Sequence, residues 1–113
     1  MKVLFESDTP DGMPLRELAE KRARFALRRL TWLVPKVKVS LSDVNGPRGG
    51  VDKRCRIEMR TYRAGDVLVT ALARDWRTAL ENALMRAARV LVRQWRRSHE
   101  QDRARLRTLS LAH

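Results

Sequence analysis

Acidic residues are scarce in this chain of 113 residues: 13 Asp and Glu stand against 25 Lys and Arg, a net charge of +12 at pH 7. Self-repulsion of that size works against compaction, so the composition makes sense only with a polyanionic partner. Membrane surfaces, acidic proteins and nucleic acids all qualify. Arginine outnumbers lysine about four to one, and a planar guanidinium suits bidentate phosphate contacts better than a compact ammonium does. Nucleic acid leads.

Other scarcities exclude whole classes. Cys55 is the only cysteine, so no intrachain disulfide can form, and it reads as a small core hydrophobe. The two histidines, His99 and His113, lack metal-ligand spacing, and neither a metal site nor a cofactor is expected. Long apolar runs are missing. "MKVLFESDTP" offers three apolar residues before Glu6 and Asp8, too few for a signal-peptide core or a membrane span, so a cytoplasmic protein with no membrane association is expected. There is no tandem repeat or low-complexity tract. No glycine-rich loop leads from a strand into a helix, since "GPRGG" leads into a strand. Asp43, Asp52 and Glu58 are scattered among basic residues, which leaves a hydrolytic centre without clustered carboxylates or a histidine pair. The chain is not expected to be an enzyme or to have a small-molecule substrate.

What remains is organised by two hydrophobic periods. The length suits one domain. Lys2 to Glu6 alternates through Val3 and Phe5 and ends in the turn-rich "SDTPDG", which predicts a first strand. From Met13 to Leu33, Leu15, Leu18, Ala19, Ala26, Leu30 and Leu33 share a face at 3.6 residues per turn, with Pro14 at a favourable first position and Pro35 as the stop. A helix is predicted there. Val37, Val39 and Leu41 alternate with polar residues in "KVKVSLSDV", as do Cys55, Ile57 and Met59 in "VDKRCRIEMRTY". With "DVLVTALA" these give three more strands, the last two antiparallel across the Ala64-Gly65 corner. "NGPRGG" reads as a turn. A final helix covers "DWRTALENALMRAARVLVRQWRRS", with Asp75 as its cap. The fold class is therefore α+β: a two-layer sandwich in the order β-α-β-β-β-α, a four-stranded sheet with two helices on one face. Residues 1–99 form this domain, and residues 100–113 a basic, flexible tail.

The last helix carries the most telling pattern. At 100° per residue Trp76, Leu80, Ala83, Leu84, Ala87 and Leu91 lie together, as packing on the sheet requires. Arg86, Arg89, Arg93 and Arg97 form a separate row about 16 Å long at ~1.5 Å per residue, a span comparable with a few successive phosphates. Arg96 thickens its end. A solvated helix gains by mixing signs at four-residue spacing, and from Arg86 to Arg97 there is no acid at all. The helix dipole favours Arg96 and Arg97 but fades within a turn, short of Arg86 and Arg89. Lys21, Arg22, Arg24, Arg28 and Arg29 make the first helix basic too, diluted by Glu17 and Glu20. Side-by-side helices would let arginines from both line a groove. Trp95 is either core or a base-stacking platform at the end of that groove.

The element order and three stretches resemble the ribosome hibernation promoting factor family, also called ribosome-associated inhibitor A or sigma-54 modulation proteins. "LRELAEKRARFALRRL" is similar to its first helix, "DWRTALENALMRAARVLVRQ" to its second, and "SDVNGPRGGVDKRCRIEMR" to the strand-loop-strand of short proteobacterial members. The likeness covers about residues 2 to 97, with Trp76, Arg77 and Ala87 departing from the usual residues. By this resemblance Arg16 and Arg22 of the first helix and Arg86, Arg89 and Arg93 of the second face 16S ribosomal RNA of the small subunit, in the mRNA and tRNA channel. Arg28, Arg96 and Arg97 complete the expected RNA-binding set. The resemblance implies a translation inhibitor of the short form, free of cofactors and monomeric when off the ribosome. The alternative reading is a generic double-stranded RNA-binding domain, whose α-β-β-β-α order is nested in this one. Against it, Asp75 stands where a lysine cluster would enter the last helix.

Overall fold

The computed structural model describes residues 1–44 and 51–111; the turn read in "NGPRGG" lies outside the described residues. Four strands, β1 (Lys2–Ser7), β2 (Lys36–Asp43), β3 (Lys53–Arg60) and β4 (Val67–Ala73), form one sheet in that spatial order. β1 runs parallel to β2, and the other two pairings are antiparallel. The parallel pair is joined through helix α1 (Arg16–Ala26), as a crossover connection requires, and the chain closes with helix α2 (Trp76–Leu111). This is the expected α+β sandwich.

Strict alternation decides which face is covered. Val37, Val39 and Leu41 of β2 lie level with Met59, Ile57 and Cys55 of β3, and all six are buried, as are Val67, Val69 and Ala71 of β4. One face of the sheet is thus continuous apolar surface, while Arg54, Arg56, Leu68 and Leu72 of the other face water. α1 packs over β1, and α2 over β3 and β4. Buried alanines, Ala19 and Ala23 on α1 and Ala79, Ala83 and Ala87 on α2, give both helices a flat contact stripe. Cys55 is fully buried, and desolvation pushes its thiol up to about 12, so it stays protonated at neutral pH and behaves as a hydrophobe.

Two helix ends differ from the sequence reading. The first helix is not continuous from Met13 to Leu33. A 3-10 turn at Met13–Leu15 precedes α1, and after Ala26 the chain winds through turns, with Leu30 N–H donating to Leu27 C=O, and Leu33 N–H to Leu30 C=O. Thr31 and Trp32 are poor helix formers, and Pro35 disfavours helical geometry at Val34. The tighter three-residue repeat still directs Leu27 and Leu33 into the core. The second helix runs past Ser98 to Leu111, because no Gly or Pro interrupts "HEQDRARLRTLSL". The side chains of residues 99–110 there are exposed, except where His99 meets Trp95.

Two glycines are dictated by geometry. Gly65 turns the β3–β4 corner at φ +78°, the left-handed region that glycine enters without strain, and Thr61 closes the corner by donating its hydroxyl to Gly65 C=O at 2.5 Å. Gly12 is buried against the Ser7 side chain, where a Cβ would collide with the Ser7 hydroxyl.

Candidate nucleic-acid interface

α2 begins as the sequence predicts. Asp75 Oδ1 accepts from the Thr78 backbone N–H at 2.8 Å, and Oδ2 from the Thr78 hydroxyl at 2.9 Å. These two bonds, the backbone one foremost, hold the Asp75 carboxyl below the ordinary carboxylate value. A lowered value in the folded state means that the cap stabilises above the unfolded carboxylate range, near pH ~4, and that this contribution is lost as pH falls through the folded value. Asp75→Ala should therefore melt below the parent at neutral pH, and the gap in melting temperature should close on acidification. A gap constant from neutral to acid pH would show that the carboxylate is not the cap.

From this start Ala79, Leu80, Ala83, Leu84, Ala87 and Leu91 are buried. Trp76, expected on that face, is only partly buried, with the Lys53 ammonium 5.2 Å from its ring centroid. The two flanks of α2 differ in sign. Toward α1, Glu81 meets Arg22 at 3.6 Å. Toward the open edge of the sheet, Arg86 Nη1 donates to the Thr70 C=O of β4 at 2.6 Å. Arg89, Arg93, Arg96 and Arg97 occupy the outward surface, where with Ala88, Val92 and Glu100 they border a shallow depression. No residue of α1 borders that depression, while Arg22 of α1 turns to Glu81. At 100° per residue Arg89 and Arg93 point away from the buried stripe, with Arg86 and Arg97 turned toward the β4 edge and Arg96 toward the Glu81 side.

The remaining expected residues are spread across the helical layer. Arg28 lies with its guanidinium 4.2 Å from the Phe25 ring centroid and donates to Phe25 C=O at 2.8 Å. Arg16 borders a depression beside β1 with Glu20, Lys36 and Lys38. β1 and β4 are opposite edges of the sheet, about 14 Å apart at ~4.8 Å per strand, so Arg16 and Arg86 mark the two ends of a broad basic face. Only Arg89, Arg93, Arg96 and Arg97 form a compact cluster.

Five described cations make ion pairs with acids, and all five lie outside this cluster. On the outer sheet face Lys38 pairs with Glu6 at 3.3 Å and Arg56 with Glu58 at 3.0 Å. In the helical layer Arg24 pairs with Glu20. At the end of β3, Lys53 bonds Asp43 at 2.6 Å, and that hydrogen bond raises the lysine's pKa. Among the described residues no ion pair is made by Arg86, Arg89, Arg93, Arg96 or Arg97. Among the described residues, too, no group of three or more His, Cys, Asp or Glu could hold a metal, and no helix is long and apolar enough to cross a membrane.

Sequence reasoning missed two surface aromatics, Phe25 and Trp32, which are 62% and 60% exposed. The signal was available for Phe25, which lies well off the Ala19–Ala23 stripe at 100° per residue. Trp95, left open between core and platform, is partly buried and packs on the core, with its ring meeting Trp32 edge-on at 6.1 Å.

No family model matches the chain, and no curated protein matches it by sequence. Solved structures do match its fold. The N-terminal domain of Thermus thermophilus Protein Y superposes with a TM-score of 0.63 at 22% identity, over 82% of this chain and 98% of that one. A ribosomal subunit interface protein from Coxiella burnetii gives a TM-score of 0.65 at 13% identity, over 82% of this chain and 96% of its own. The likeness read from the sequence is thus matched in three dimensions, at the level of the fold.

Proposed function

We propose that this chain is a ribosome hibernation factor that binds 16S ribosomal RNA in the mRNA and tRNA channel of the small subunit and blocks translation. One observation carries the reading: a row of arginines on α2 that the fold leaves without acidic partners. A surface that only needed solvation would gain by pairing them, as Lys38 and Arg56 on the sheet face are paired. The solved neighbours support a ribosomal partner, because one of them is itself a ribosomal subunit interface protein. In this reading the factor acts in the cytoplasm by occupancy, without an enzymatic step or a cofactor, and is monomeric when free. Residues 100–111 prolong α2 as an accessory to the RNA-binding domain. A double-stranded RNA-binding domain fits less well, because β1 extends the sheet as a fourth, parallel edge strand.

Sedimentation through sucrose gradients tests the proposal. The protein should travel with small subunits at low salt and be released as salt rises, with a log-log slope to which each phosphate contact contributes roughly 0.7 to 0.9. Retention at the top of the gradient, or binding indifferent to salt, would overturn it.

A further inference from the structure

The fully buried core contains only Ala, Val, Leu, Ile, Met and Cys among its apolar side chains. All six aromatic residues are described, and none is fully buried. Phe25, Trp32 and Tyr62 are each exposed by more than half, although rings of this size are the side chains that add most to a core. One of them, Trp32, meets Trp95 where the turns after α1 reach the middle of α2, and His99 stacks on Trp95 there.

That corner is ordered. The Trp32 indole N–H donates to Arg29 C=O at 3.0 Å, which fixes the ring although 60% of the residue remains exposed. Its neighbour Trp95 stands at 84° to it, and His99 stacks on Trp95 at 5.2 Å with 12° between the planes. Phe25 lies under the Arg28 guanidinium. Arg29, whose carbonyl holds the Trp32 indole, and Arg96, the residue after Trp95, bring positive charge to the corner, with Glu100 the nearby acid on α2.

We infer that the Trp32–Trp95 corner is a stacking platform for unpaired RNA bases. Rings that are held in place and open to solvent offer the flat faces that bases stack on, and the flanking arginines hold the phosphates of the same strand. Charge complementarity decides the occupant. An apolar protein segment would leave those arginines without partners, whereas a nucleotide satisfies ring and cation together. Arg96 lies on α2 next to Trp95 and borders the same depression as Arg89 and Arg93, so a strand bound along the arginine row can continue onto the platform. The inference rests on the RNA-binding reading and narrows it: the RNA engaged here is single-stranded.

Tryptophan fluorescence of the full chain, titrated with an oligoadenylate of about a dozen nucleotides and with a hairpin duplex of equal phosphate count, tests it. The single strand should quench emission and the hairpin should not. Trp32→Ala should weaken oligoadenylate binding about tenfold and leave hairpin binding unchanged, while Trp32→Phe keeps most of the affinity. Equal quenching by the two RNAs, or an equal loss of both in Trp32→Ala, overturns the platform. If Trp32→Ala melts far below the parent, the quenching comparison in the parent and the Trp32→Leu variant, which keeps apolar bulk but offers no aromatic face, decide instead. Sedimentation of the same proteins with small subunits separates this inference from the ribosomal one. A chain that stays off small subunits yet prefers single strands through Trp32 keeps the platform and loses the ribosomal role. A chain that joins them with no Trp32 effect on oligoadenylate loses the platform alone.

Discussion

Alanine at Arg89, Arg93 and Arg97 together should release the protein from small subunits at physiological salt while leaving its melting temperature nearly unchanged. At roughly 1.5 kcal/mol for each charge-assisted contact, three losses weaken binding about a thousandfold. The log-log salt slope should flatten by about 2 to 3 at the same time. Stability should hold because these side chains are exposed and none makes an ion pair among the described residues; such substitutions usually shift it by less than about 0.5 kcal/mol each. Arg86 is set apart, since its bond to Thr70 C=O ties α2 to the edge strand. Arg86→Ala should lower both RNA affinity and melting temperature. The matched control is Lys36→Ala, Lys38→Ala and Arg56→Ala on the outer sheet face, which removes the same charge from cations that include two already paired with Glu6 and Glu58. If control and stripe variants lose small subunits equally, the protein binds by bulk charge and the row has no special place.

How far the sequence could be read follows from which interactions are local. The sheet face was legible because alternation is a property of each strand alone: Val37, Val39, Leu41, Cys55, Ile57 and Met59 are all buried. The Asp75 cap was legible for the same reason, its partner Thr78 being three residues away. The arginine row was legible as a row, because helical spacing is local too. Its surroundings were not. That Glu81 turns to Arg22 while Arg86 reaches β4 depends on how α2 is seated across β3 and β4, which helical spacing within one element does not encode. The end of α1 was misread because Leu27, Leu30 and Leu33 continue an apolar stripe equally well in a helix and in successive tight turns.

The second large effect tests whether the basic surface depends on that apolar sheet face. Ile57 is fully buried at the centre of a cross-sheet row, level with Val39 on one side and Val69 on the other, beneath the helical layer. Ile57→Ala removes carbon atoms that no neighbour can replace without moving both strands, and should cost about 2–5 kcal/mol through lost burial and the cavity left behind. Against the ~5–15 kcal/mol typical of a whole domain, that is a large share, and it should lower the melting temperature by about 10 °C or more. Ile57→Val, which removes one carbon, should cost only about 0.5–1.5 kcal/mol. Leu68→Ala provides the contrast from the opposite face of the adjoining strand, where the residue is 58% exposed, and should leave the melting temperature almost where it was. The variants also separate scaffold from surface. Well below its melting temperature Ile57→Val should bind small subunits like the parent, because the arginines of α2 are unchanged and the helix keeps its seat. If Leu68→Ala proved as damaging as Ile57→Ala, the helices would have to cover the other face of the sheet, and the outward aim of the arginine row would fall with that layer.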